Sequence, residues 1–388
     1  MKIAYFVYDL ADAAAARRAE MLQAGGAQLA VAGFRRSEKP VARLAGVPAL
    51  DLGRTFDGRL AHRAGLVALR CVQVAAVRDI VRAADVVLAR NLEMLAIAAA
   101  ARRAYAPGAK LVYECLDIHR MMCGSGPAAV ALRALEGALL RSCSAVMVSA
   151  PAFITEYFEP RHRRLPRMLL VENKVLRASG PVARRAVARP AGPPWRIGWF
   201  GNLRCRKSVQ LLKDIARRCE GAVEIVMRGR PSAHTLPDLE RLIAGTPHVR
   251  FEGPYAQTEL ARIYGEVHFV WSVDYTDEGQ NSEWLLPNRI YEGSFFSTPS
   301  IAKRGSAVGG WVAEKGAGLV VDDPVDDTVR MLSALTPHDY RLLEQRVHDI
   351  DTRALAFDHD ACRAIVAALG TGGGFVADCA TVKAPATR

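Results

Sequence analysis

The sequence predicts an α/β protein made of two Rossmann-like domains, each built on a doubly wound parallel sheet. Short apolar runs alternate with longer helical patterns along the chain, which is typical of parallel strands covered by helices on both faces. The alternation stops once, at a proline-rich stretch near the middle, and then resumes. A chain of 388 residues is also too long for a single hydrophobic core, so two domains are expected.

Residues 1–178 are predicted to form the first domain. Its short apolar runs are rich in β-branched and aromatic side chains, as expected of buried strands, and the segments between them have helical spacing. The predicted strands are Lys2–Tyr8, Ala27–Phe34, Asp85–Ala89, Lys110–Cys115 and Ala145–Ser149. The predicted helices are Asp12–Ala24, Leu60–Ala83, Glu93–Tyr105 and Ala128–Arg141.

Residues 179–194 are predicted to be an interdomain linker, because this stretch holds four prolines and no usable periodicity. The second domain then covers residues 195–370. The predicted strands there are Arg196–Phe200, Val223–Met227, Val249–Glu252, His268–Val273, Pro299–Ala302 and Gly318–Val321. The predicted helices are Ser208–Cys219, Leu236–Ala244, Gln257–Tyr264, Asn288–Phe296 and Val325–Leu335.

The last helical region, Pro337–Leu369, is longer than the second domain needs, so a C-terminal helix is predicted to cross back to the first domain. The tail at 371–388 contains consecutive glycines and is predicted to be disordered. Two sheets of similar size would face each other across a cleft at the carboxyl ends of their strands, where open α/β sheets bind ligands.

The chain carries a formal net charge of +12, concentrated between Arg161 and Arg189, where nine basic residues face one acidic residue. Such a block at 161–189 could hold an anionic membrane surface, since each basic residue near the headgroups contributes about 1 kcal/mol. A solvated basic linker explains the block equally well, and both interpretations stay open. Nucleic acid is not expected as a partner, because no aromatic side chains interleave with the basic ones.

The eight cysteines form no CxxC pairs and have no histidines at zinc spacing, so neither a metal site nor a disulfide framework is expected. Reduced thiols indicate a cytoplasmic protein. The N-terminal apolar run is too short for a signal peptide, and no stretch is apolar enough to span a membrane. We therefore expect a cytoplasmic protein, peripheral at the inner face of the membrane if the basic block binds lipid.

The predicted strand after the linker runs into a glycine turn rich in cations. Gly201 lets the backbone approach a ligand closely, and Asn202 follows it in the turn. Arg204, Arg206 and Lys207 offer charge-assisted hydrogen bonds to phosphate oxygens. Lys207 also falls at the predicted start of a helix, where the helix dipole disfavours a cation and an anion is expected beside it. The alternative is a basic surface loop in an arginine-rich chain.

The stretch Leu285–Gly293 predicts a helix N-terminus that could seat an anion. Pro287 suits the first turn, where its missing N–H is no loss, and the unpaired N–H groups from Asn288 onward favour a phosphate. Glu292 is a carboxylate about one turn further on, within reach of sugar hydroxyls beside a bound diphosphate. Glu283 belongs to the polar loop before the helix, and such loops usually line a site.

Two further elements point to the same edge of the second sheet. Arg228 comes at the end of the next predicted strand and adds a cation. Gly309 and Gly310 are predicted to form a turn after a later strand, where backbone N–H groups could meet a phosphate or a sugar.

In the first domain, Asp117 and His119 follow a predicted strand and are therefore expected at its carboxyl edge. A histidine there could orient an acceptor hydroxyl or exchange a proton with it, which makes the pair candidate catalytic residues. The alternative is a loop histidine beside a turn-capping aspartate. Arg90 and Asn91 follow the preceding strand and have a weaker claim to the same edge.

Several classes of enzyme are excluded by motifs that the sequence lacks. No GxGxxG follows a strand, and neither a GxxxxGK[ST] phosphate loop nor a GxSxG nucleophile turn occurs. Dinucleotide-dependent redox enzymes, P-loop nucleotidases and α/β-hydrolases are therefore not supported.

The region from Trp195 to Asp323 resembles retaining glycosyltransferases of the GT-B fold, the large family-4-like group that builds bacterial exopolysaccharide and lipid-linked oligosaccharides. The alternating pattern of the first domain gives weaker support. The motifs that carry the resemblance are the strand, glycine turn and lysine at Gly201–Lys207, Val249–Pro254 with the helix that follows, the Pro-Asn-Arg-Ile-Tyr-Glu helix start, and Pro299–Ala302.

The resemblance implies roles for individual residues. Arg204 or Arg206, together with Lys207, would neutralise the donor pyrophosphate, and Glu292 would bind the nucleotide ribose. The family's E-x7-E pair has its first glutamate at the position of Trp284 here, with Glu283 one residue away as the donor-binding carboxylate. His119 loosely matches the family's first-domain histidine near the reacting sugar.

The sequence thus predicts a hexosyltransferase-type enzyme that moves a sugar from a nucleotide-diphosphate donor to a saccharide or lipid-linked acceptor, with retention of configuration and without a metal or other cofactor. One alternative is a GT-B sugar-nucleotide epimerase, which uses the same fold and donor. The other is a non-catalytic module that binds an anionic surface through residues 161–189.

Overall fold

The computed structural model describes residues 1–56, 58–177 and 189–371, and within it the chain forms two compact units. Unit 1 comprises Met1–Glu172 together with the final helix, and unit 2 comprises Asn173–Asp358. Residues 179–188 of the predicted linker, and the predicted disordered tail from 372 onward, lie outside the described residues.

The described part of unit 1 contains an eight-stranded sheet with the order β3-β4-β2-β1-β5-β6-β7-β8. Its central strand is apolar and buried from Ile3 to Val7, as expected of a parallel strand covered on both sides. Only the short β3 runs antiparallel to its neighbour in this sheet. The strands are β1 (Lys2–Val7), β2 (Gln28–Arg35), β3 (Arg43–Leu44), β4 (Val47–Arg54), β5 (Val86–Arg90), β6 (Lys110–Cys115), β7 (Ala145–Val148) and β8 (Arg167–Leu170).

Helices connect the parallel strands of unit 1. Asp12 caps the first helix, with its carboxylate accepting from the N–H groups of Ala14 and Ala15, so the predicted start at Asp12 is the cap residue. The helices are α1 (Ala13–Ala24), α2 (Leu60–Val72), α3 (Arg78–Val81), α4 (Leu92–Tyr105), α5 (Arg120–Cys123), α6 (Pro127–Leu140), α7 (Glu159–Arg161) and the last helix of the described residues, α17 (His359–Gly370). A 3-10 turn (Val74–Val77) and a π-helical turn (Phe153–Phe158) complete the unit.

The helix α17 packs within unit 1, which agrees with the predicted crossing back. It lies against α1, and Gly25 at the end of α1 makes the close approach possible. A Cβ on Gly25 would come 2.4 Å from the carbonyl oxygen of Cys362 in α17. Lys110 Nζ also donates to the carbonyl oxygen of Gly370.

The described part of unit 2 contains a parallel six-stranded sheet with the order β12-β11-β10-β13-β14-β15 and a short parallel pair, β9 and β16. The pair joins the segments where the chain enters and leaves the unit. The strands are β9 (Val175–Leu176), β10 (Trp195–Leu203), β11 (Val223–Pro231), β12 (Val249–Phe251), β13 (Phe269–Trp271), β14 (Ser300–Lys303), β15 (Gly318–Val321) and β16 (Ala356–Phe357).

The core of unit 2 is unusually aromatic, with Trp195, Trp199 and Trp271 all buried on the sheet. A 3-10 turn (Gln257–Glu259) precedes one of its helices. The helices are α8 (Arg206–Arg218), α9 (Leu239–Ile243), α10 (Leu260–Gly265), α11 (Asn281–Trp284), α12 (Asn288–Phe295), α13 (Ala307–Lys315), α14 (Asp326–Ala334), α15 (Pro337–His348) and α16 (Thr352–Leu355).

The predicted α/β architecture with parallel sheets is confirmed, and the differences are local. The segment predicted as one helix, Leu60–Ala83, is broken into α2, a 3-10 turn and α3, and the long region Pro337–Leu369 forms three helices. The strands β3, β4, β8, β9 and β16 were not predicted. Within the described ranges, no helix is both long and apolar enough to cross a lipid bilayer.

Candidate functional site

The candidate donor site begins where β10 ends, at the carboxyl edge of the unit 2 sheet. β10 pairs with β11 as far as Leu203, so Gly201 and the exposed Asn202 lie in the strand and not in the predicted turn. Gly201 has φ 105°, and a Cβ on its neighbour Gly229 would lie 1.8 Å from the Gly201 carbonyl oxygen. Gly201 is therefore favoured by its backbone conformation, and Gly229 is required for the two strands to pair this closely.

Lys207 lies in the first turn of α8, as predicted. Cys205 caps this helix with its sulfur, which accepts from the backbone N–H groups of Ser208 and Tyr275, both at 3.3 Å. This ties the loop after β13 to the start of α8. Lys207 Nζ lies 3.8 Å from the centroid of the Tyr275 ring and 3.3 Å from a carboxylate oxygen of Glu278.

Lys303, the last residue of β14, approaches the same tyrosine. Its Nζ lies 5.0 Å from the Tyr275 ring centroid and 3.7 Å from a carboxylate oxygen of Glu283. We call Lys207, Lys303, Tyr275, Glu278 and Glu283 the edge cluster. Partial burial, followed by the charge of Glu278, raises the pKa of the Tyr275 phenol, so the ring that the two cations share stays neutral.

Arg204 and Arg206 point to different partners. Arg204 Nε lies 3.9 Å from a carboxylate oxygen of Asp274, which also belongs to the loop after β13. Arg206 is half-exposed and pairs at 2.6 Å with Asp238, which does not belong to that loop. Asp238 also accepts from Arg241, and these hydrogen bonds lower the pKa of the Asp238 carboxyl. Arg204 is therefore the arginine that the structure brings to the loop after β13.

A recess of about 360 Å³, including its open mouth, lies at this edge of the sheet. Two of the predicted donor-binding residues, Glu283 and Pro287, line it. Asp274, Arg289 and Lys303 line it as well, and none of these had been singled out from the sequence. The recess thus combines cations, which suit phosphate, with carboxylates, which accept hydrogen bonds from sugar hydroxyls.

The helix α12 begins at Asn288. Pro287 is its N-terminal cap residue and not, as predicted, a residue of its first turn. Glu292 is 4% exposed and accepts a 2.9 Å hydrogen bond from the Tyr264 hydroxyl. Burial, followed by the charge of Glu292, raises the pKa of Tyr264 well above its usual value, so this phenol remains a donor. The carboxylate that the resemblance assigns to the ribose is therefore a buried one, held by a tyrosine.

The prediction of a glycine turn at Gly309 and Gly310 is wrong, because both residues lie in the first turns of α13. The N–H of Gly309 donates to the Ser306 hydroxyl at 3.0 Å, and that of Gly310 donates to the Ser306 carbonyl oxygen. A Cβ on Gly309 would lie 2.1 Å from the carbonyl oxygen of Lys303. Gly309 thus allows α13 to pack closely on the end of β14.

Arg228 also differs from the prediction of an added cation at the edge. Its side chain is largely buried and forms ion pairs with Glu252 and, at 3.7 Å, with Glu266. Burial alone would raise the pKa of Glu252, but the hydrogen bond from Arg250 and the charges of both arginines lower it. The positive charge of Arg228 is therefore compensated within the protein.

In unit 1, Asp117 and His119 follow β6 as predicted, and both are exposed. His119 caps α5, with Nδ1 accepting from the N–H of Met121 at 3.3 Å. Burial of part of the ring, followed by the charge of Arg63, lowers the pKa of His119. The ring is thus neutral near pH 7 with its proton on Nε2, an arrangement that suits donation to a substrate oxygen.

Arg90 does not lie exposed at the edge of unit 1. It is 2% exposed and donates to Glu114 and to the Tyr5 hydroxyl, while Arg18 donates to the same carboxylate at 2.7 Å. We call Arg18, Arg90, Glu114 and Tyr5 the buried cluster. Burial would raise the pKa of Glu114, but the two arginines lower it. The role of Arg90 is structural.

Several cations of the basic block are engaged in contacts within their own unit. Arg163 and Arg164 are exposed. Four further basic residues of the block contact other groups: Arg161 (over the Tyr157 ring), Arg167 (to the Ala368 carbonyl oxygen), Lys174 (to the Arg353 carbonyl oxygen) and Arg189 (to Glu344 and the Val267 carbonyl oxygen). Arg184 and Arg185 fall outside the described residues.

Sequence reasoning missed Asp274, Tyr275, Arg289 and Lys303. The signal for Lys303 was its place at the carboxyl end of a parallel strand, the same reasoning that selected Lys207. No signal in the sequence indicated that Tyr275 would meet both lysines. In the part of the chain that the structure describes, no group of three or more His, Cys, Asp or Glu side chains is placed to hold a metal ion.

The chain was compared with known proteins, and no protein-family model matches it. The succinoglycan biosynthesis protein ExoL of Rhizobium meliloti (strain 1021) is 43% identical to it over 377 residues, which cover 96% of this chain and 94% of ExoL.

Solved structures of similar fold cover nearly the whole chain. Sucrose-phosphate synthase from Thermosynechococcus elongatus has a TM-score of 0.68 at 16% identity and covers 95% of this chain and 98% of its own. HepE from Anabaena, in complex with UDP and glucose, has a TM-score of 0.65 at 14% identity, with coverage of 95% and 98%. WaaG, a glycosyltransferase involved in lipopolysaccharide biosynthesis, has a TM-score of 0.66 at 14% identity, with coverage of 96% and 100%. At these identities the similarity shows the fold, which is the predicted GT-B fold.

Proposed function

The chain belongs to the family of the succinoglycan biosynthesis protein ExoL, and from this premise we propose that it is a glycosyltransferase of exopolysaccharide biosynthesis. It transfers a hexose from a nucleotide-diphosphate sugar to a saccharide or lipid-linked acceptor. Its membership of the ExoL family and its GT-B fold support this proposal, as does the presence of UDP in the structure of HepE, a protein of similar fold.

The observation that carries the proposal is the set of cations at the carboxyl edge of unit 2. Arg204 and Lys207 are held there by the loop after β13, beside a recess that Pro287 and Glu283 line. Negative charge develops on the leaving diphosphate as the glycosidic bond breaks, and fixed cations lower the energy of that transition state. Arg204 and Lys207 are the proposed diphosphate ligands, and the Asn288 end of α12 supplies backbone donors.

Two glutamates complete the proposed donor site. Glu283 lines the recess and accepts hydrogen bonds from the hydroxyls of the transferred sugar. Glu292 binds the ribose, as the family resemblance implies, with Tyr264 orienting its carboxylate. Retention of anomeric configuration, a family-4-like assignment and independence from metals belong to the same proposal. Full transfer after treatment with EDTA is the expected result.

Unit 1 is proposed to bind the acceptor. His119 Nε2 would donate to an acceptor or donor oxygen, and Asp117 lies at the same edge of the sheet. Peripheral attachment to the cytoplasmic face of the membrane through residues 161–189 stays part of the proposal, supported by the exposed Arg163 and Arg164. Co-sedimentation with phosphatidylglycerol vesicles that is lost in R163Q/R164Q tests this point.

The test of the proposed function uses purified protein, radiolabelled UDP-glucose or UDP-galactose, and a membrane fraction as the source of acceptor. Transfer of label to a glycan or lipid-linked product, with release of UDP, is expected. The nucleotide sugar incubated without acceptor should stay unchanged. Conversion of the sugar without acceptor would indicate an epimerase. Failure to bind any nucleoside diphosphate, together with salt-sensitive binding to anionic vesicles, would indicate a non-catalytic module.

A further inference from the structure

We propose that Lys303 is a second diphosphate-binding lysine, and that Glu278 and Glu283 compete with the donor diphosphate for Lys207 and Lys303. The proposal rests on the proposed function and names a ligand and a release step for the same site. Its consequence is that binding of the diphosphate transfers Glu283 from a lysine to the sugar.

The placement of the two lysines follows from the strand order. In the sheet, β13 lies between β10 and β14. The loop after β13 therefore lies between the residues that follow β10 and those that end β14. Lys207 follows β10, Lys303 ends β14, and Tyr275 belongs to the loop between them. Both ammonium groups lie within 5.0 Å of the centroid of one tyrosine ring. Two cations beside one ring repel each other, and neighbouring anions, now Glu278 and Glu283, relieve the repulsion.

The tyrosine positions the ammonium groups without using their N–H donors. An aromatic face attracts a cation through its quadrupole, so all three N–H groups of each lysine can still donate to oxygens. The backbone of Tyr275 is itself fixed, since its N–H donates to Cys205 Sγ at the start of α8. The ring therefore holds two ammonium groups beside it and leaves their N–H groups to donate to the oxygens of a ligand.

The carboxylates now paired with these lysines are exchangeable. Lys207 and Glu278 are each about half-exposed, at 51% and 52%, and Lys303 and Glu283 are about one-third exposed, at 28% and 33%. Ion pairs at such exposure contribute little to stability. A diphosphate brings more charge and more acceptor oxygens than a single carboxylate, so it displaces both glutamates.

Displacement has a consequence for the sugar. Glu283 and Lys303 both line the recess, so the carboxylate released from Lys303 stays inside the proposed donor site. Once released, Glu283 can accept hydrogen bonds from sugar hydroxyls. Binding of the diphosphate thus frees the Glu283 carboxylate to bind the sugar that is attached to the diphosphate.

Calorimetry on the full-length protein with UDP, GDP, ADP and inorganic pyrophosphate tests the proposal, because none of these ligands carries the sugar that Glu283 would read. For the nucleoside diphosphate that binds wild type, K303M should weaken binding about tenfold or more, since it removes a charge-assisted hydrogen bond. E283Q and E278Q should each tighten binding about two- to fivefold, because a competing carboxylate is gone. K315M is the matched control for the change in net charge, since Lys315 pairs with Glu314 on α13.

The outcomes separate this proposal from the proposed function. If wild type binds none of the four ligands, the proposed function fails and this proposal fails with it. If wild type binds but K303M binds as tightly as K315M, Lys303 is not a ligand and this proposal alone is wrong. Weaker or unchanged binding by both E283Q and E278Q would show that the glutamates do not compete. Thermal unfolding of each variant confirms that the fold is intact.

Discussion

The edge cluster in unit 2 and the buried cluster in unit 1 use the same chemistry in different surroundings. Each sets two cations and at least one carboxylate beside a tyrosine. In the buried cluster Glu114 is inaccessible and Arg18 and Arg90 are 6% and 2% exposed, whereas the charged groups of the edge cluster are between 28% and 52% exposed. A buried pair cannot exchange partners without exposing a charge to a poor solvent, but a half-exposed pair can. We therefore infer that the buried cluster stabilises the fold and that the edge cluster binds a ligand.

The largest effect is expected from E114Q, which leaves Arg18 and Arg90 buried without their shared carboxylate. The free energy of unfolding should fall by about 3–5 kcal/mol, because buried Arg18 loses its carboxylate and buried Arg90 keeps only Asp12, at 3.5 Å. Urea denaturation measures it. The matched change E278Q in the edge cluster should cost no more than about 0.5 kcal/mol. Equal costs for the two variants would contradict the comparison.

Lys207 shows the opposite behaviour, since its loss should affect activity and spare stability. K207M should lower the rate of sugar transfer about 100-fold, as expected when one stabilising charge is removed from a developing anion. Its melting temperature should match that of wild type, because the Lys207 side chain is half-exposed. Steady-state transfer assays and calorimetric melting check both parts, with K315M as the control. Near-normal transfer by K207M would remove Lys207 from the site.

A smaller effect on stability is expected where a carboxylate of the donor side is buried. Y264F removes the hydroxyl that donates to Glu292 and should lower the free energy of unfolding by about 1–3 kcal/mol. A double-mutant cycle with E292M, which removes the accepting oxygens at similar volume, measures the coupling directly. If the two effects simply add, the hydrogen bond contributes nothing.

The smallest effect concerns pH. Burial, followed by the charge of Arg63, lowers the pKa of His119 below its usual 6.5. As pH falls below 6.5, the His119 imidazole is protonated in the unfolded chain before it is protonated in the folded protein. Protonation of His119 therefore lowers the free energy of unfolding slightly in that range. Titration of His119 by NMR should give a pKa below 6.5 in the folded protein, rising when urea unfolds it. A folded value at or above 6.5 would show that the ring is not desolvated.

The sequence was enough to predict the architecture, because parallel strands such as β1 and β7 are mostly apolar runs that alternate with helices. It did not reveal β3, β4 and β9, which are short or partly polar and depend on neighbouring strands for their pairing. A pattern of residue types also cannot distinguish an exposed cation from a compensated one. Arg90 and Arg228 looked like edge residues, and their partners come from other strands and helices.

A pattern of residue types predicted only those parts of the candidate site whose residues are close together in the chain. Lys207 was predictable because a glycine, several cations and a helix start follow one another in the chain. The start of α12 was predictable because Pro287 marks it. The meeting of Lys303 with Tyr275 was not, since it depends on β13 lying between β10 and β14 in the sheet. Likewise, Gly309 is needed to pack α13 against Lys303, a requirement that a glycine pair in the sequence cannot distinguish from a turn.

Hydrogen–deuterium exchange with and without UDP tests the central claim most directly, because it locates the ligand on the whole protein without substitutions. The account predicts slower exchange at 203–208 and 274–290, where the edge cluster and the start of α12 lie, and no change around the buried cluster at Glu114. Protection confined to unit 1, or to the basic residues 161–177, would contradict it.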